Sequence, residues 1–87
     1  MKAIEAYAKA EQSKLDRTLK FYGKEVYHEI LRATLLGHFL CLVKIPSYVD
    51  LDALLNIAAK DGYVARISED RGMFTLRLDW TNAKLET

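Results

Sequence analysis

Apolar positions in the first third of the chain recur with the helical period. Leu15, Leu19, Tyr22, Val26, Ile30 and Ala33 follow one another at steps of four, three, four, four and three residues, the spacing that lines up one side of an α-helix. Ile4, Tyr7 and Ala8 extend a weaker stripe upstream. Residues 1–36 hold one Gly and no Pro and are rich in Ala, Glu, Lys and Leu, so their composition favours helix throughout. Ser13 followed by Asp16 is a capping signal that would break the region near Gln12-Ser13, yet both residues are tolerated inside a helix. The pattern therefore allows one helix or two. As one helix, residues 3–36 would reach about 50 Å, longer than a globule of this size is wide, and part of it would project and need a partner.

Gly37 closes the stripe as a left-handed helix terminator, and residues 38–45 then read as a strand. Phe39, Cys41, Val43 and Ile45 share one face; His38, Leu40, Leu42 and Lys44 share the other. Both faces are largely apolar, so the strand is expected to be covered on both sides, by this chain or another. Pro46 ends the ladder by removing a donor. Residues 50–61 read as a short helix with Asp50 as N-cap, Val49 stapled to Leu54, Gly62 as terminator, and Leu51, Leu54, Leu55 and Ala58 as its buried stripe. Residues 63–80 alternate as a β-hairpin around a three-residue loop, Asp70-Arg71-Gly72. Thr81 to Thr87 has no periodicity and reads as a frayed tail.

The pattern predicts one α+β domain over residues 1–87: a long N-terminal helical region, then strand, helix, strand, strand. A crossover by the short helix gives a three-stranded antiparallel sheet in order 1-3-2 with its apolar face under the helices. Phe74, Leu76, Leu78 and Trp80 then belong to the core. Eighty-seven residues suffice for one core and not for two, and a hydrophobic share of 51% excludes intrinsic disorder.

Charge and cysteine narrow the function classes. A formal net charge of +1 gives no global field toward nucleic acid or an anionic membrane. The longest apolar stretch, Leu35 to Val43, is interrupted by Gly37 and His38 and is about half the ~20 residues that cross a bilayer. The single Cys41 cannot make an intrachain disulfide, and Met1-Lys2-Ala3-Ile4-Glu5 lacks the apolar core of a secretory signal, so a reducing compartment is expected.

Walker, dinucleotide, nucleophile-elbow and zinc patterns are all missing from the sequence. Glu25 and His28 have the Glu-x-x-His spacing of carboxylate-bridged di-iron helices, but such sites need a second copy and two further Glu ligands, so a solvated helix face is the better reading. Cys41 with His28 or His38 could pair a thiol with a base; a mid-strand Cys is far more often a small core residue. No catalytic residue, metal or cofactor is expected. Lys44, Arg66 and Arg77 share the sheet face opposite the core, with Arg71 at the hairpin tip and Tyr48 nearby, a stripe suited to phosphates but diluted by Glu69 and Asp79 and poor in aromatics for stacking bases. Nucleic-acid binding through these residues is the alternative function.

An amphipathic helix ending in Ala33-Thr34-Leu35-Leu36-Gly37, an apolar strand, a short helix with Leu54-Leu55, and a hairpin opening at Gly62-Tyr63 and closing on Trp80 make a pattern over residues 26–80. It resembles small, mostly uncharacterised proteins of tailed bacteriophages. The resemblance implies a viral protein located in the virion or the host cytoplasm, serving as a virion component or a binder of a host protein; its motifs are folding signals and carry no functional residues. The leading expectation is a non-enzymatic protein acting through a protein interface, as an assembly component or a stoichiometric inhibitor. Tyr7, Leu15, Leu19 and Tyr22 on the helix and Leu40 and Leu42 on the strand are its candidate residues, and the partner is a host protein or a second copy in a homo-oligomer. Tyr7, Tyr22 and Tyr27 lie on or beside the stripe, where aromatics are more often core than contact.

Overall fold

No break occurs at Gln12-Ser13. In the computed structural model, which describes residues 2–83, helix α1 spans Ala3–Phe21, passes into a π-helical turn at Tyr22–Val26 and continues as α2 over Tyr27–Leu35. Asp16 does not start a second helix; its carboxylate accepts from Gln12 Nε2 at 3.0 Å and so supports the first one. The π turn is marked by the Tyr27 N–H donating to the Tyr22 carbonyl, five residues back.

That turn changes which residues face inward. Thr18, Phe21, Val26, Ile30 and Ala33 are buried, and the step from Phe21 to Val26 is five residues, one more than an α-turn supplies. Leu15 and Leu19, predicted as part of the buried stripe, are exposed instead, because the extra residue rotates α1 relative to α2. Tyr7 and Tyr27 are likewise exposed, while Tyr22 is half-buried.

Two Schellman motifs terminate the helices. Gly37 N donates to Thr34 O at 3.0 Å and His38 N to Ala33 O at 2.9 Å, with Gly37 at φ 81. The same pattern recurs where Gly62 N meets Ala59 O and Tyr63 N meets Ala58 O. Helix α3, Leu51–Lys60, begins where Asp50 accepts from Ala53 N, as predicted. Strand β1 spans Leu40–Ile45, two residues shorter than expected at its start: His38 is consumed by the helix exit, and Phe39, just before the strand, only accepts from Trp80 N at 2.9 Å.

Strands β2, Val64–Asp70, and β3, Met73–Asp79, complete an antiparallel sheet in the order β1-β3-β2. Asp70 pairs with Met73, so the loop has two residues and not three. Arg71 and Gly72 both take positive φ, 54 and 79, the type I′ turn whose twist matches a two-residue hairpin. Cys41, Val43, Ile45, Leu76 and Leu78 are buried with Val26, Leu54 and Ala58. Phe74 and Trp80 are only partly covered, Trp80 meeting Tyr63 edge-on at 5.8 Å. Leu40 and Leu42 lie on the uncovered face, so this chain covers β1 on one side only. Of the predicted tail, Thr81 to Ala83 turn back through Ala83 N to Trp80 O, and residues 84–87 lie outside the described part.

Thr18 joins the long helix to the rest. Its side chain is fully buried; its hydroxyl donates to Lys14 O at 2.8 Å and accepts from Asp50 N at 2.9 Å. Thr18→Val keeps the shape but leaves the Asp50 N–H without an acceptor, so denaturant unfolding should show a loss of about 1–3 kcal/mol. Thr18→Ser keeps the bond and should lose only about 1 kcal/mol, for the missing methyl group.

Candidate functional site

Every residue from Lys2 to Arg17 is exposed, and Thr18 is the first buried one. These sixteen residues form an arm of about 24 Å at one end of a molecule 50 Å long. The inward row of Phe21 and Thr18 continues along the arm at alternating steps of three and four through Lys14, Glu11, Tyr7 and Ile4. Tyr7 is 68% and Ile4 77% exposed. Leu15 and Leu19 flank this row. At the base of the arm lies an open crevice of about 670 Å³ whose walls include Lys14, Ile45, Val49, Leu51, Asp52 and Phe74.

The six residues predicted for an interface do not form one surface. Tyr7, Leu15 and Leu19 stand on α1, whereas Leu40 and Leu42 stand on the outer sheet face, level with Asp79 and Arg77. Tyr22 is already engaged: its hydroxyl donates to Asp61 Oδ2 at 2.6 Å, tying the π turn to the end of α3. A second exposed apolar patch lies near the end of α2, where His28, Leu31, Arg32, Leu35 and Leu36 line a shallow groove.

The basic stripe is brought together on the outer sheet face. Arg66 and Arg77 are direct cross-strand neighbours, Lys44 pairs with Thr75, and Arg71 is exposed at the turn. Arg77 Nη2 leans toward Asp79 Oδ2 at 3.8 Å. Asp79 is held below the usual carboxylate range first by hydrogen bonds from Thr81 and further by Arg77. No aromatic residue stands on that face among the described residues. Tyr48 instead lies under the Arg17 guanidinium, 5.7 Å from its ring centre, beside Lys20 and Lys24. The sequence signal for that second basic group is the three- and four-residue spacing of Arg17, Lys20 and Lys24.

The candidate nucleophile lies in the core. Cys41 is buried, and burial, with the Glu29 carboxylate adding to it, pushes its thiol up, which disfavours the reactive thiolate. Among the described residues no group of three or more His, Cys, Asp or Glu is placed to hold a metal ion, and no helix is long and apolar enough to cross a membrane. No protein-family model matches the chain, and no curated protein or solved structure proves similar to it.

Two phenols carry a pH dependence. Burial and then the Asp61 carboxylate push Tyr22 well above the ordinary phenol value of 10.0, and the same two causes raise Tyr63. A raised pKa means that the folded state keeps a proton that the unfolded chain releases, so this contribution is full below pH 10 and is lost as pH rises above it. Denaturant midpoints should therefore fall as pH rises above about 10, and Tyr22→Phe should flatten that fall while phenolate absorbance assigns the titrating rings.

Proposed function

We propose that this is a non-enzymatic protein that works through protein–protein contact, with the N-terminal arm as its docking element. One observation carries the reading: sixteen consecutive residues are exposed while the row that faces the core continues along them with Tyr7 and Ile4. Ile4 and Tyr7, one turn apart on that row, put two large apolar side chains side by side in water, and adjoining exposed apolar surface favours a contact site. In this reading the role is that of a virion or assembly component, or of a stoichiometric binder of a host protein.

Used as bait in extract of the cells that contain it, the chain should retain a specific protein, a second copy counting as one. Ile4→Glu with Tyr7→Glu should weaken that retention by roughly thirtyfold, the scale of losing a central aromatic contact, with the helical circular dichroism unchanged because neither side chain touches the core. Retention that ignores the two substitutions overturns the reading.

The cross-strand neighbours Arg66 and Arg77 favour a second reading, nucleic-acid binding by the outer sheet face. It requires affinity for single-stranded DNA or RNA that falls steeply with salt and drops in Arg66→Ala. Binding that is absent, or flat with salt, removes it.

A further inference from the structure

The arm presents a row with two unlike halves. Ile4 and Tyr7 stand near the tip, Glu11 and Lys14 near the base. We infer that the occupant of this face is a second copy of the chain, the two arms packing antiparallel about a two-fold axis level with Lys9, with each tip entering the crevice at the base of the other arm. The inference rests on the interface reading above and names its partner.

Orientation follows from the charges. In a parallel pair Glu11 would meet Glu11 and Lys14 would meet Lys14, which like-charge repulsion opposes. Antiparallel packing sets the Tyr7 hydroxyl beside Glu11 of the second copy, donor to acceptor, and lays Ile4 along the aliphatic stem of Lys14 of the second copy. Ala8 and Ala10 flank the axis and let the two backbones approach. The arm carries Lys2, Lys9, Lys14 and Arg17 against Glu5, Glu11 and Asp16, so no strong repulsion opposes the pairing.

The crevice fits the same register. Lys14 is one of its walls, and the register that brings Tyr7 to Glu11 also brings the other copy's Ile4 to Lys14. The arriving tip offers an apolar side chain, the Lys2 ammonium and the positive end of a helix dipole. The crevice offers Leu51 and Phe74 for the first and the carboxylate of Asp52 for the others, Asp50 being engaged as the N-cap of α3. A two-fold pairing fills both crevices at once and leaves no open end, so it closes as a dimer.

Light scattering and sedimentation of the purified full-length chain across a wide concentration range test this. A dimer is expected, converted to monomer by Ile4→Glu with Tyr7→Glu at unchanged helical circular dichroism. Ala8→Cys should then cross-link to itself under mild oxidation, while Ile4→Cys should cross-link only when mixed with a chain carrying Lys14→Cys; native Cys41 is buried and serves as the silent control. Self-cross-linking of Ile4→Cys, failure of Ala8→Cys to cross-link, or a dimer indifferent to the arm substitutions overturns the inference. A monomer at every concentration also overturns it. Such a monomer leaves the interface reading standing if it captures another protein through Ile4 and Tyr7, and overturns both if capture ignores them.

Discussion

The hydroxyl of Thr18 is the point on which the arrangement turns. It is fully buried, donates within its own helix to Lys14 O and accepts the N–H of Asp50, the residue whose carboxylate caps α3. One side chain thus fixes the position of α1 against the start of α3 and, because its bonds are directional, also the rotation of α1 about its axis. Everything before Thr18 is exposed, and beyond it the same inward row runs into the core. It therefore divides a packed body from a projecting arm.

Rotation fixed at Thr18 creates a problem that the π turn solves. Continued at the α-helical period, the row of Thr18 and Phe21 would next bring Lys24 or Glu25 inward and then His28, Glu29 and Arg32, all polar. One additional residue in the Tyr22–Val26 turn leaves Lys24 and Glu25 outside and delivers Val26, Ile30 and Ala33 to the core instead. The helix thereby satisfies two constraints of different phase, α3 at one end and β1 at the other. Tyr22, bonded to Asp61, clamps the turn where the helical hydrogen-bond ladder is irregular.

This is also why part of the molecule was legible from sequence and part was not. Fold class, sheet order and the ends of α3 follow from local signals: alternation in the hairpin, Asp50 before an apolar run, Gly37 and Gly62 at positive φ. The π turn leaves no mark, because Leu15 and Leu19 continue the α-helical stripe of Val26, Ile30 and Ala33 so well that the true inward row, through Thr18, is hidden behind them. Arg71 at positive φ is equally silent, since only its pairing context forces a non-glycine residue into that conformation. Of the candidate site, Ile4 and Tyr7 were visible as a weak stripe. The crevice was not: Lys14, Ile45, Leu51 and Phe74 are distant in sequence and only the sheet and the crossover bring them together.

The arm is helical for a reason that bears on what it does. An isolated helix of about fifteen residues is marginal in water because nucleation is costly, whereas extending an existing helix is not. Here the buried segment from Thr18 to Ala33 supplies the nucleus, and Ala3, Ala6, Ala8 and Ala10 make extension favourable. For the proposed contact the row is thus already formed, and the ordering cost that weakens binding by a disordered segment is largely absent. The outer sheet face offers no comparable advantage, since Leu40, Leu42 and Val64 are interleaved there with Arg66, Arg77 and Asp79, and an apolar partner would have to strip water from charges to reach them. Preorganisation on one side and charge desolvation on the other are the physical grounds on which the proposed contact is assigned to the arm and not to the sheet.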